Sequence, residues 1–146
     1  MIRKIIYTLG ERLRNPSLKI KYGFLKESEK WSLEALESYQ LKKFKELIEV
    51  AYHNSEFYKK KFDDLNIDIQ KVNSLDDIHL FPIITKKELI QFAPQIHTHL
   101  TFKKKFLATT SGTSGESLSF FREEQVDSFN RAALQRGYSW YNIHPW

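Results

Sequence analysis

Phe-Leu-Ala-Thr-Thr-Ser-Gly-Thr-Ser-Gly-Glu-Ser-Leu-Ser-Phe-Phe, residues 106–121 of this 146-residue chain, is the stretch that decides the fold class. Its apolar ends favour two short strands, over residues 106–110 and 118–121, and the small polar residues between them favour a loop. A helix is predicted next, from Glu123 to about Tyr141. Two strands joined by a glycine loop and followed by a long helix indicate an α/β domain.

The loop is richer in small polar residues than a tight turn requires. Seven consecutive residues, 109–115, are Thr, Ser or Gly, whereas a hairpin turn needs only one or two such residues. Gly112 and Gly115 permit positive φ angles and a close approach of a ligand to the backbone. Successive amide groups can then converge on an anion, and the hydroxyl groups add uncharged donors. This combination suits a polyphosphate; the alternative is an exposed Ser/Gly turn without a ligand.

The spacing of the loop excludes three better-known motifs. A Walker A loop has four residues between its glycines and then Gly-Lys-Ser/Thr, whereas here two residues separate Gly112 from Gly115 and Glu116 follows. The Gly-x-Gly-x-x-Gly pattern of dinucleotide-binding proteins is absent from the sequence. A nucleophile elbow needs Gly-x-Ser-x-Gly, and Gly112-Thr-Ser-Gly is one residue too short.

The segment before the hairpin is predicted to be helical. Ser32 can cap one helix, Asn54 and Ser55 precede a second, and Thr85 with Glu88 has the spacing of a capping box. The residues from Pro16 to Trp31 read as a loop. The expected buried residues are Leu33, Leu36, Phe44, Leu47, Ile48 and Ala51 in the first helix, Phe57, Tyr58, Phe62 and Leu65 in the second, and Val126, Phe129, Ala133 and Trp140 in the helix after the hairpin.

Two further blocks accompany the loop in a fixed order. They are Tyr-His-Asn-Ser-Glu-Phe-Tyr at 52–58 and Phe-Pro-Ile-Ile-Thr-Lys-Lys-Glu-Leu at 81–89. The loop at 110–115 resembles the phosphate-loop signature of the adenylate-forming enzymes, the acyl-CoA synthetase superfamily. The three blocks together are similar to the branch that includes phenylacetate–coenzyme A ligase, capsular polysaccharide biosynthesis proteins and coenzyme F390 synthetase. The resemblance covers the chain from about Trp31 to its end.

This resemblance implies a ligase that uses ATP to activate a small-molecule carboxylate. The carboxylate attacks the α-phosphate, which gives an acyl-adenylate and pyrophosphate, and coenzyme A then accepts the acyl group. The resemblance also implies a contact set for the ATP phosphates, with Mg²⁺ sharing their charge and no metal ligand or catalytic residue assigned in this chain. That set is Thr110, Ser111, Gly112, Thr113, Ser114 and Gly115.

The chain departs from the family pattern around the loop. Ser117 stands where proline is usual, and Glu116 puts a negative charge beside the expected phosphates, where no lysine follows. The lysines at 103–105 are predicted to lie about 16 Å away, at the opposite end of a strand that rises roughly 3.3 Å per residue. Arg122 lies beyond the second strand, so both groups are interpreted as solvated surface.

The family's adenine-binding, carboxylate-binding and Mg²⁺-binding motifs and its lid domain lie further along the chain than Trp146. Residues 31–146 are therefore expected to be the N-terminal part of an AMP-binding domain, truncated and inactive alone. Residues 1–30 are expected to be a basic amphipathic helix and a linker.

The charge is concentrated in this N-terminal segment. The chain has 23 basic and 18 acidic residues, a net charge of +5, and residues 1–30 hold eight basic and three acidic ones, which accounts for all of it. The neutral balance of the rest disfavours nucleic-acid binding. No apolar run is long enough for a signal peptide or a membrane span, and cysteine is absent from the sequence, so a cytoplasmic protein is expected.

Ile2, Ile5, Ile6, Leu9 and Leu13 recur at helical spacing within that segment. Two interpretations follow. The helix can dock its apolar face on the rest of the protein, which the short stripe and Gly10 favour, or it can lie on an anionic membrane or partner surface. In the second case the chain is a small non-catalytic binding module. His97 and His99 share one side of an extended segment, but without a third ligand they do not predict a metal site.

Overall fold

The chain is a helix-rich α/β protein in a computed structural model that describes residues 2–111 and 117–145. These residues form two compact units. We call residues 2–31, 102–111 and 119–145 the sheet unit, and residues 32–101 with 117–118 the helical unit. Each unit has its own buried residues, so each is described separately.

The sheet unit combines three helices with a two-stranded antiparallel sheet in its described residues. The helix Leu18–Ser28 packs along the helix that follows the hairpin, and the rings of Phe24 and Phe129 lie 6.3 Å apart across this contact. Leu18 and Leu25 are buried beside it. The elements are α1 (Ile2–Arg14), α2 (Leu18–Ser28), β1 (Lys105–Thr109), β2 (Ser119–Glu123) and α7 (Glu124–Ser139).

The helical unit packs around a small apolar core. Ile48, Phe62, Ile69 and Val72 are buried together, and the Phe81 ring lies 5.1 Å from that of Phe62. Two 3₁₀ helices, Ile69–Lys71 and Leu75–Leu80, contribute to this core or flank it. The α-helices are α3 (Leu33–Asn54), α4 (Glu56–Asp64), α5 (Lys86–Gln91) and α6 (Ala93–Ile96).

The predicted helix starts of the helical unit are confirmed. Ser32 caps α3 by accepting a hydrogen bond from the amide of Ala35 at 3.2 Å. Ser55 caps α4, and its hydroxyl also donates to the carbonyl of Gln95 at 2.9 Å, which ties α4 to α6. Thr85 begins α5 with the predicted capping box. Capping residues are therefore the part of this unit that short sequence patterns predict best.

The loop predicted between Pro16 and Trp31 is wrong, because this segment forms α2. Leu18 and Leu25 are seven residues apart and share one helix face, while Lys19 and Lys21 between them are not buried. Such a narrow apolar seam gives only a weak helical periodicity in the sequence, so the helix is not predicted from it. The helix becomes stable because α7 covers that seam, and only the fold supplies this contact.

Several residues expected in the core are exposed. Helices α3, α4 and α7 bury narrower faces than the apolar pattern predicts. Trp140 sits at the end of α7, where its indole Nε1 donates to Glu29 at 2.8 Å. The exposed fractions are 66% for Leu33, 64% for Leu47, 53% for Leu65, 57% for Val126 and 60% for Trp140.

Among the described helices, none is both long enough and apolar enough to cross a bilayer.

The capping box of α5 supports a prediction about acid. Lys61 Nζ lies 2.6 Å from Glu88 Oε1, and this hydrogen bond, together with those from the Thr85 amide and hydroxyl, lowers the pKa of Glu88 to about 2. Because the pKa of Glu88 is lowered, its carboxylate stabilises the folded state fully above the ordinary glutamate pKa of about 4.3. This stabilisation is lost as the pH falls towards 2. Carboxyl NMR titration should place the Glu88 transition near pH 2.

The matched variant for this titration is Lys61→Gln. It removes the first cause of the lowered pKa and leaves the Thr85 contacts in place. We expect the Glu88 transition to move up towards its usual range in this variant. A Glu88 carboxyl that titrates near about pH 4.3 in the unmodified chain would contradict the bridge.

Candidate phosphate-binding loop

The strands β1 and β2 pair on either side of the predicted loop in the sequence. The strands pair from Lys105 with Glu123 to Thr109 with Ser119, and the last pair is also joined through its hydroxyl groups, whose oxygens lie 2.9 Å apart. The predicted order of two strands and a following helix is thus confirmed, with boundaries within two residues of those expected. The Thr109–Ser119 contact closes the hairpin at the point where the loop begins.

The structure describes only part of the predicted phosphate-contact set. Thr110 and Ser111 are exposed and follow β1 directly. On the other side, Ser117 is exposed and Leu118 is half-buried before β2 begins. The other members of the set, Gly112, Thr113, Ser114 and Gly115, lie outside the described residues, as does Glu116.

The alternation of side chains explains why this segment forms a hairpin. Phe106, Ala108 and Phe120 are half-buried on one face, whereas Leu107 and Phe121 are exposed partners on the other. Lys105 Nζ lies 4.4 Å from the centre of the Phe121 ring, a cation–π contact on the outer face. The half-buried face fixes the register, because a slip by one residue would turn it outward.

The cations nearest in sequence lie at the end of the hairpin opposite the Thr109–Ser119 pair, and the interpretation of Arg122 as solvated surface is wrong because this residue is half-buried. Lys105 is the first residue of β1, and Thr109 at the other end adjoins the loop. Lys104 Nζ donates to the carbonyl of Leu13 at 2.6 Å. Arg122 is paired with Phe106 in the register and forms an ion pair with Asp127 at 3.2 Å. Each of these three side chains is therefore engaged with a group of the hairpin, of α7 or of the end of α1.

A buried polar cluster anchors the far end of the hairpin. Helix α7 starts directly after β2, and Glu124, Asp127 and Ser128 on its first turns are buried. Asn15, between α1 and α2, is also buried, and its Nδ2 donates to Asp127 at 2.9 Å and to Ser128 at 3.2 Å. Ser17 donates to Glu124 from its amide at 3.1 Å and from its hydroxyl at 2.8 Å.

Hydrogen bonds keep both carboxylates of this cluster charged. Burial alone would raise the pKa of Glu124, but bonds from Ser128 and Ser17 outweigh it and hold that pKa below its usual range. Burial likewise acts to raise the pKa of Asp127, and bonds from Asn15 and Arg131 reverse the shift. Two arginines contact Asp127, since Arg131 Nε donates to it at 3.0 Å beside the Arg122 pair. The charged and polar side chains of this cluster therefore connect β2, the start of α7 and the turn between α1 and α2.

Sequence patterns missed this cluster because acidic residues in a first helical turn normally face water. Acidic residues at 124 and 127 are a common feature of helix starts, where they complement the helix dipole. The signal that was available is the i, i+3, i+4, i+8 spacing of Glu124, Asp127, Ser128 and Ala132, which is a helix face made of polar and small residues.

The two histidines considered as metal ligands do not lie in a ligand cluster. His99 Nε2 lies 3.9 Å from Glu56 Oε1, and both side chains are largely exposed. Within the part of the chain that the structure describes, no group of three or more His, Cys, Asp or Glu side chains could hold a metal ion.

No family model matches the chain, and no curated protein matches it significantly.

Proposed function

We propose that this chain is the phosphate-binding segment of an ATP-dependent carboxylate-activating ligase. The single observation that carries the proposal is the hairpin, whose strands are closed by the Thr109–Ser119 contact directly before a loop of Thr, Ser and Gly residues. Thr110 and Ser111, which are exposed residues at the start of that loop, both carry hydroxyl groups. The resemblance of the sequence to the adenylate-forming enzymes supplies the reaction class.

The donor set fits a polyphosphate that arrives with its own cation. Hydroxyl and amide donors carry no positive charge, and the nearby Lys104, Lys105 and Arg122 are engaged elsewhere. Bound Mg²⁺ would supply the missing charge neutralisation in the ATP complex. The proposed contact residues for the ATP phosphates remain the six from Thr110 to Gly115. Their role is to stabilise the leaving pyrophosphate.

The reaction that this loop would serve has two steps. A carboxylate oxygen attacks the α-phosphorus, a P–O bond forms, and the bond to the pyrophosphate oxygen breaks. The thiol of coenzyme A then attacks the acyl carbonyl carbon, its proton is lost, and AMP leaves. The second step belongs to the proposal as the family's usual outcome, and a cytoplasmic location, where both ATP and coenzyme A are present, belongs to it as well.

The other two sequence blocks, residues 52–58 and 81–89, contribute helix caps and core residues to the helical unit. In block 52–58, Ser55 joins α3 to α4 and Phe57 is buried. In block 81–89, Phe81 packs on the core and Thr85 starts α5. Both blocks therefore consist largely of residues that determine how this unit folds. They support a shared architecture, while the chemistry of the proposal depends on the loop.

Carboxylate-dependent release of pyrophosphate tests the proposed function. The protein to use is this chain continued beyond Trp146 through an adenine-binding motif, assayed with ATP, Mg²⁺ and a panel of aliphatic and aromatic carboxylic acids. We expect pyrophosphate release with at least one acid and none without acid. Phosphate release that is independent of any carboxylate would assign the protein to another class of ATP-using enzyme, and no release with any acid would contradict the proposal.

A second candidate function has one observation in its favour. The apolar residues of α1 are exposed, as a helix that docks on another surface requires. In this candidate the chain is a non-catalytic binding module, and its loop is an ordinary turn. The pyrophosphate assay separates the two, because a docking module releases no pyrophosphate.

A further inference from the structure

Helix α1 exposes its apolar face to solvent. We call Ile2, Ile5, Ile6, Leu9 and Leu13 the apolar face of α1. Their exposed fractions are 74%, 51%, 65%, 53% and 79% in that order. At 100° per residue these five side chains span about 100° of the helix circumference, which is a continuous stripe. The interpretation that this face docks on the rest of the protein is therefore wrong for the described residues.

The opposite side of α1 holds the helix on the sheet unit. Tyr7, Thr8 and Glu11 are the half-buried residues of this helix. Gln135 of α7 donates from its Nε2 to the Tyr7 hydroxyl at 3.4 Å and also to a carboxylate oxygen of Glu11. Tyr7 and Glu11 lie roughly 150° and 170° from the centre of the apolar face. The helix is thus attached by its polar side, and the attachment itself points the apolar side outward.

Basic residues flank the apolar face. Helical geometry places Arg12 next to Ile5 on one edge, and Arg3 lies beyond Ile6 on the other edge. With four basic residues and one acidic residue, α1 carries a net charge of +3, which is most of the excess charge of the chain. Long basic side chains at the edges of an apolar stripe can reach acidic headgroups while the stripe enters the boundary of the acyl chains.

We propose that α1 is a membrane-surface anchor whose apolar face lies on an anionic lipid bilayer. A helix of 13 residues is about 20 Å long, which is enough to lie in the interface and too short to span the hydrocarbon core. Charge complementarity selects the occupant. A second copy would bring another helix of net charge +3 against this one, whereas an anionic surface attracts Arg3 and Arg12 at the edges of the apolar face.

This inference is independent of the proposed ligase function. It uses α1 and the polar contacts that orient it, and the loop has no part in it. Its failure would leave pyrophosphate release unaffected, and a failure of the ligase proposal would leave lipid binding unaffected. If both hold, the anchor places carboxylate activation at a membrane surface.

Vesicle cosedimentation of the whole 146-residue chain tests the anchor. Vesicles of phosphatidylcholine with phosphatidylserine should bind the chain, pure phosphatidylcholine vesicles should bind it at least about tenfold more weakly, and added salt should weaken binding to the anionic vesicles. Ile6→Gln with Leu9→Gln should reduce binding by at least about tenfold, because two apolar side chains are lost from the stripe. Arg3→Gln with Arg12→Gln should reduce binding to the anionic vesicles by about tenfold or more.

The matched control removes the same two residue types elsewhere. Leu80 and Ile83 lie in the helical unit and are 60% and 92% exposed, and Leu80→Gln with Ile83→Gln should leave binding unchanged. Circular dichroism should show that all variants keep their helix content, since the altered side chains are exposed.

Three results would overturn the anchor. The first is equal binding to neutral and anionic vesicles, and the second is unchanged binding by the Ile6→Gln, Leu9→Gln variant. The third is absence of vesicle binding together with a dimer in sedimentation equilibrium that this variant dissociates, which would assign the apolar face to a second copy.

Discussion

Asp127→Ala should lower the free energy of unfolding by about 3 kcal/mol, the largest stability effect expected in this chain. The carboxylate is 1% exposed and accepts from Asn15 and Arg131 while it pairs with Arg122. Its removal leaves two guanidinium groups and one amide without their common acceptor. Both arginines reach solvent in part, which places the effect at the lower end of the range for a broken buried ion pair.

Urea denaturation of two further variants separates burial from charge. Asp127→Asn keeps the side-chain volume and one acceptor oxygen but loses the charge. Its free energy of unfolding should therefore lie between that of the wild type and that of Asp127→Ala. Asp64 pairs with Lys60 on the surface and is 60% exposed, so Asp64→Ala should change the free energy of unfolding by less than about 0.5 kcal/mol. Equal effects of Asp127→Ala and Asp64→Ala would contradict the role assigned to the cluster.

The hairpin and the helix caps could be predicted from the sequence because each depends on local chemistry. The apolar run at 106–108 favours a strand, and the Thr, Ser and Gly residues after it mark the loop. Ser32, Ser55 and Thr85 each start a helix because a side-chain oxygen satisfies a free amide within the next turn. These signals extend over only a few residues, so they can be recognised without knowing the tertiary contacts.

The buried face of α7 could not be predicted because it depends on distant partners. Asp127 is buried only because Asn15, more than a hundred residues earlier, and Arg122 meet it. Burial of a carboxylate without such partners costs several kcal/mol of folding free energy. The sequence of α7 alone therefore predicts that Asp127 lies at the surface. The apolar residues Val126 and Trp140 were placed in the core by the same reasoning and are exposed.

The orientation of α1 failed to follow from its amphipathic pattern for a related reason. The pattern identifies the apolar face of α1, but it does not predict which face of the helix packs against the rest of the sheet unit. Gln135 selects the polar side through Tyr7 and Glu11, and this pairing joins residues far apart in the sequence. Amphipathicity therefore predicted the helix and left its surroundings open.

Replacement of both loop glycines should abolish pyrophosphate release if the loop binds ATP. Gly112→Ala with Gly115→Ala places two methyl groups where a phosphate must approach the backbone. Loss of a single donor to a developing oxyanion costs about a hundredfold to a thousandfold in rate. The double variant should therefore lose at least about a thousandfold in carboxylate-dependent turnover.

The control uses two glycines in helices of the sheet unit. A Cβ at Gly23 of α2 or at Gly137 of α7 would meet no atom within 4 Å. Gly23→Ala with Gly137→Ala should leave turnover unchanged and raise the free energy of unfolding by about 1 to 2 kcal/mol, since alanine favours a helix interior by roughly 0.5–1 kcal/mol per site. The number and type of substitutions are the same, so the comparison isolates the position.

The most direct test of the phosphate-loop assignment is the rate of pyrophosphate release by these two double variants, measured side by side in the chain continued beyond Trp146. The assignment predicts full activity for Gly23→Ala with Gly137→Ala and no measurable carboxylate-dependent release for Gly112→Ala with Gly115→Ala. Unchanged release by the loop variant would contradict it.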